Sequence, residues 1–131
     1  MEQDIGEMAT SFLRRLEAYD FTGARTMCTD AATVWHNDAS GEQTVGAVLE
    51  HFESFAATAN SLQFDVVRQF KNSNEVLQQH VLRLSMADGS CSEVHAAVYF
   101  RFEHGLIDRI EEFMYSVPAD QVPQFAPSHD H

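Results

Sequence analysis

The sequence predicts an α+β fold in which helices precede an antiparallel sheet. Two patterns predict it. Apolar residues recur at three- and four-residue intervals in the first 59 residues and then alternate with polar ones from Leu62 onward, the periods that line one face of a helix and one face of a strand. Between the later segments lie Lys71-Asn72-Ser73-Asn74, Asp88-Gly89 and His104-Gly105, turns so short that they can join only antiparallel neighbours.

Ile5, Met8, Ala9, Phe12, Leu13, Leu16 and Tyr19 make the apolar face of a first helix, with Glu7, Arg14, Arg15 and Glu17 opposite. Asp20 is placed to cap a short second helix through Ala24, Arg25 and Met27. The β-branched and aromatic run Ala32-Thr33-Val34-Trp35-His36 is the first strand, closed by turn residues at Asn37-Asp38-Ala39-Ser40-Gly41. Val45, Val48, Leu49, Phe52, Phe55, Ala56 and Ala59 form a third helical face. Four strands follow: Leu62 to Phe70, Val76 to Met86, Cys91 to Phe102 and Leu106 to Tyr115. All three prolines, Pro118, Pro123 and Pro127, fall after this body, so the expectation is one domain over 1–117 and a tail over 118–131.

Composition narrows the function. The chain has 131 residues, 44% of them hydrophobic, enough for a core that buries roughly two-thirds of the unfolded surface without metals or disulfides. Eight basic against 20 acidic residues give a formal charge of −12, which argues against nucleic acid and anionic membranes as partners. The acidic start lacks the basic region of a secretory signal, and no segment is a membrane span, so the expected location is cytoplasmic. Cys28 and Cys91 lie far apart without metal-type spacing and are expected as free thiols. A Gly-rich phosphate loop and a nucleophile elbow are both absent from the sequence.

Three stretches carry a family resemblance: Thr29 to Asn37, Val98-Tyr99-Phe100-Arg101-Phe102, and His104-Gly105-Leu106-Ile107, with Phe52 on the helix between them. The chain resembles the nuclear transport factor 2-like superfamily in its SnoaL-like and ketosteroid-isomerase-like bacterial branch, over about residues 5–116. The resemblance implies a cone: a curved antiparallel sheet on three N-terminal helices around an apolar pocket, dimerising through the outer sheet face. It implies isomerase, polyketide cyclase, epoxide hydrolase or dehydratase chemistry without a cofactor, or a non-catalytic small-ligand-binding or dimerisation module of the same fold.

Carried over by position, the resemblance puts His36 at the place of the general base, while Phe12 and Val98 replace the two hydrogen-bond donors of the steroid isomerases. Without those donors a dienolate lacks its stabilisation, so steroid isomerisation by that mechanism is not expected. Ile110, Glu112 and Met114 match the pocket-facing positions of the last strand, making His36 and Glu112 the candidate proton-transfer pair. A slip of one residue exchanges Glu112 for Glu111. Further expected pocket residues are Leu16, Trp35, Asp38, Phe52, Phe55, His80, Phe100 and Tyr115. Trp35 lies on the alternate face from His36 and reads either as packing or as an aromatic wall. For His80 two arguments conflict: strand alternation with Val76, Leu82 and Leu84 turns it inward, whereas family matching turns Val81, Arg83 and Ser85 inward. His51 reads as solvated, and no metal is expected, the terminal His129-Asp130-His131 included. The expected ligand is a small apolar organic molecule.

Overall fold

Asp4 begins the first helix by accepting hydrogen bonds from the Gly6 amide at 2.9 Å and the Glu7 amide at 3.3 Å, which satisfies donors that a helix start leaves unpaired. A computed structural model of the chain describes residues 4–38 and 40–117. The expected tail over 118–131, His129-Asp130-His131 included, lies outside the described residues. Helix α1 (Ile5–Glu17) buries Ala9, Phe12, Leu13 and Leu16, the face its periodicity marks. Helix α2 (Phe21–Thr26) is capped by Asp20, which accepts from the Gly23 amide at 2.9 Å. Strand β1 (Cys28–His36) begins four residues earlier than the β-branched run suggests. Next come the short strand β2 (Glu42–Thr44) and helix α3 (Val45–Ala56), whose Thr44 cap accepts from the Ala47 amide at 3.1 Å.

Strands β3 (Ala59–Lys71), β4 (Glu75–Met86), β5 (Cys91–Glu103) and β6 (Leu106–Val117) form an antiparallel meander. At the last hairpin His104 and Gly105 both take positive φ, 55° and 80°, the backbone of a turn whose twist matches its strands. The six strands lie in the order β2-β1-β6-β5-β4-β3. The sheet is mixed rather than purely antiparallel, because β1 runs parallel to β6 with His36 beside Glu112. A parallel pair needs a long crossover, and the intervening α3 and four strands provide one. Strand β2 was not expected, since all three of its residues are exposed and none marks a buried face.

Even-numbered residues of β4 and β5 face the helices: Val76, Gln78, His80, Leu82 and Leu84 are buried, as are Val98, Phe100 and Phe102. They meet Phe12, Leu13, Leu16, Leu49 and Ala56 in one core, with Phe12 edge-on to Phe100. Cys28 and Cys91 are free thiols, and burial pushes the Cys28 thiol up to about 11. Among the described residues no helix is long and apolar enough to cross a membrane.

Candidate functional site

Between α1, α3 and the concave sheet face, the core stops short of closing and leaves a cavity of about 400 Å³, a volume suited to a small organic ligand. Phe12, Leu16, Val48, Leu49, Phe52 and Phe55 form its helical wall, and Val34, Phe64, Leu82, Ala96, Phe100, Ile110 and Met114 its sheet wall. Polar groups enter at two levels. Asp38, Ser40, Gln43, His51 and Ser116 line it as well, all of them exposed and so at its rim, while His36, Glu112 and His80 sit further in.

The parallel β1–β6 register builds the central pair. With His36 directly beside Glu112, both side chains leave the same sheet face and meet, His36 Nε2 lying 2.5 Å from Glu112 Oε1. Asn37 fixes this register beyond the strand end. Its amide nitrogen donates to the Glu112 carbonyl at 3.2 Å, its side-chain Oδ1 accepts from the Met114 amide at 3.1 Å, and its Nδ2 donates to the Met114 carbonyl at 3.3 Å. Asn37 thus pairs with β6 as though β1 continued. Asp38 instead accepts from the backbone amide of Ser40 at 2.9 Å, a turn contact.

Side chains of the pair are mostly covered, with 13% of His36 and 25% of Glu112 exposed. The hydrogen bond to Glu112 raises the His36 pKa above its ordinary value, against the opposing effect of burial, and the charges of Glu112 and Asp38 add to the rise. His80 behaves oppositely. Burial holds its pKa below the ordinary value, with only the more distant Glu112 charge working upward, so the ring is neutral. The two inner imidazoles of the cavity thus lean toward opposite charge states.

Most of the expected lining is where the sequence puts it: Phe12, Leu16, Asp38, Phe52, Phe55, Phe100, Ile110 and Met114 all border the cavity, as do His36, Glu112 and His80. The conflict over His80 resolves in favour of strand alternation, with His80 4% exposed and Arg83 on the outer face bound to Asp65 and Glu93. Three expectations are corrected. Trp35 points to the outer face and packs on Phe113 with ring centroids 5.1 Å apart, because alternation opposes it to His36. Tyr115 is 64% exposed on that same face, against His95. Val98 faces inward but is fully buried in the core and borders no cavity space. His51 is exposed as expected, yet it borders the cavity mouth. Sequence reasoning missed Gln78, buried to 1% beside His80, although the alternation that turns His80 inward carries Gln78 with it.

Comparison with known proteins agrees with this architecture. Residues 9–110 match the SnoaL-like domain family. No curated protein matches. Among solved structures, an NTF2-like protein from Anabaena variabilis superposes with a TM-score of 0.75 at 16% identity, covering 88% of this chain and 90% of that one. The epoxide hydrolase/cyclase-like enzyme SalBIII, of pyran ring formation in the polyether salinomycin, gives 0.69 at 16% identity over 84% and 89%. TerC co-crystallized with polyporic acid gives 0.67 at 11% identity over 81% and 87%. At such identities the likeness is one of fold.

Proposed function

Because the chain belongs to the SnoaL-like domain family, we propose that it is a small-molecule enzyme working by proton transfer on an apolar metabolite that bears a carbonyl or epoxide. One observation carries this reading: a histidine and a carboxylate in contact at 2.5 Å inside a cavity walled mainly by apolar side chains. The pair holds one exchangeable proton between two bases. His36 Nδ1 and the second oxygen of Glu112 have no partner among the described residues, so either can take a proton from a bound ligand or return one. Whichever group accepts it, the other complements the charge, and phenylalanine walls exclude the water that would screen it. SalBIII, epoxide hydrolase/cyclase-like, and TerC, crystallised with polyporic acid, support a fold that takes small organic molecules.

Steroid isomerisation by the donor-based mechanism stays outside the proposal, since neither Phe12 nor Val98 carries a hydrogen-bond donor in its side chain. A second reading is binding without turnover. It is favoured by His36 Nε2 and Glu112 Oε1 being engaged with each other, which ties up one atom of each in an ion pair. Under either reading the protein works in the cytoplasm as a homodimer joined through the outer sheet face, where Phe113, Leu77 and Tyr115 are 50–64% exposed.

Native mass spectrometry of the purified protein and of His36→Gln tests the proposal by looking for a co-purified molecule and the subunit count together. An apolar ligand held by the wild type, converted on incubation, and converted roughly 10²- to 10⁴-fold more slowly by His36→Gln supports acid–base catalysis. A ligand held by both proteins and converted by neither moves the assignment to the binding module.

A further inference from the structure

Gln69 on β3 and Gln78 and His80 on β4 form one hydrogen-bonded line that starts at helix α1. Gln69 Nε2 donates to the Gly6 carbonyl at 2.9 Å and to Gln78 Oε1 at 2.8 Å, with Thr10 Oγ1 at 3.3 Å. A backbone carbonyl only accepts, so the part of Gln69 that faces it is the NH₂ group. That group also meets Gln78, which makes the near atom of Gln78 its oxygen. The far atom, Nε2, is then a donor, and it lies 3.1 Å from His80 Nδ1. Two donors cannot share a hydrogen bond, so Nδ1 carries the lone pair and the proton of the neutral ring sits on Nε2. Nε2 has no protein partner among the described residues, where no buried polar side-chain atom is left unpaired. It therefore opens on the cavity that His80 borders.

The structure assigns to His80 the role of a fixed, neutral hydrogen-bond donor, held in that tautomer by Gln69 and Gln78, which selects ligands carrying a neutral acceptor oxygen at their deeper end. Backbone carbonyl, amide relay and ring are all set before a ligand arrives, so binding costs no reorientation of the donor. The oxygen is that of a ketone, ether or epoxide rather than of a carboxylate, since Glu112 and Asp38 border the same cavity and the chain carries −12 overall. His80 and Glu112 stand on strands separated only by β5, about 10 Å between backbones. The small Ala96, paired with both His80 and Met114, leaves the space between them open. The ligand then lies across β5, its acceptor oxygen at His80 and its reacting end at His36 and Glu112. This deepens the proposed function and rests on it for the ligand, but the tautomer stands independently of any turnover.

Nitrogen-15 NMR of the histidine rings, at a pH above the ordinary histidine range, tests the tautomer directly. The wild type is expected to show His80 with a pyridine-like Nδ1 and a pyrrole-like Nε2; the reverse assignment overturns the inference without touching the His36–Glu112 proposal. In Gln78→Glu a carboxylate faces Nδ1, so Nδ1 becomes pyrrole-like, by exchange of tautomers or by double protonation. An unchanged ring in that folded variant also overturns it. For selection, the probes are α-tetralone and its hydrocarbon tetralin. The wild type prefers the ketone, and His80→Phe loses roughly fivefold to tenfold of that preference along with the lowered carbonyl stretch of the bound ketone. Equal preference and an unshifted stretch in wild type and variant refute donation by His80.

Discussion

Ala96→Leu separates stability from function at a single position. Ala96 is half-buried on the cavity wall, between His80 on β4 and Met114 on β6. Leucine adds three carbons directed into open volume rather than into packed atoms. At about 0.8 kcal/mol per buried carbon the upper bound is about 2.4 kcal/mol. Incomplete burial and residual compactness of the unfolded chain reduce this to about 1–2 kcal/mol of added stability. For a chain this size that is a Tm rise of roughly 3–8 °C, with a higher urea midpoint at an unchanged slope. The same carbons fill the space that a ligand spanning His80 and Glu112 needs, so α-tetralone binding and capture of any co-purified molecule are lost. Urea unfolding and native mass spectrometry on one preparation read both effects. A loss of 1 kcal/mol or more, as overpacked cores show, would mean the space beside Ala96 is already filled. Ligand retained by a stabilised variant would place binding elsewhere.

Three other outcomes are expected. The His36 pKa is raised by Glu112, so its contribution to stability is complete below the unfolded value of about 6.5 and fades as pH rises through the folded value; the stability difference between wild type and His36→Gln, about 1 kcal/mol for a partly exposed pair, should be larger near pH 5.5 than near pH 9 in urea titrations, and a difference growing with pH contradicts the assignment. Asp20→Ala removes the α2 cap and its ion pair with Arg15, lowering the Tm in calorimetry; no change would show that packing alone holds α2. Phe113→Lys places charge on the outer face beside Trp35 and tests the proposed homodimer: light scattering at micromolar concentration should give a dimer mass for the wild type and a monomer mass for the variant, with ligand binding kept, and a wild-type monomer contradicts the proposal.

Local periodicity made much of this protein legible. The three helical faces and the four-strand meander follow from the spacing of apolar side chains and from the turns at Asp88-Gly89 and His104-Gly105, because those signals act between residues near in sequence. The tryptophan shows the same rule applied too loosely. Trp35 alternates with His36, so one of them had to leave the cavity, and aromatic character alone could not make it a wall. Val98 shows the opposite limit: alternation turned it inward, but whether an inward side chain borders empty space or solid core depends on what the helices place above it.

The order of apolar and polar residues by itself determined the class of fold and the two-residue period of each long strand, since such a period needs no knowledge of neighbours, while the candidacy of His36 and Glu112 came from the positions that the family resemblance matches. Only the tertiary structure decided that β1 lies parallel to β6, in the register that brings those two side chains to 2.5 Å. It alone also ran a line of hydrogen bonds from Gly6 through Gln69 and Gln78 to set the proton of His80. Both depend on contacts between residues more than 60 positions apart, and such contacts are chosen by the whole chain closing at once, not by any pattern a short stretch of sequence can carry.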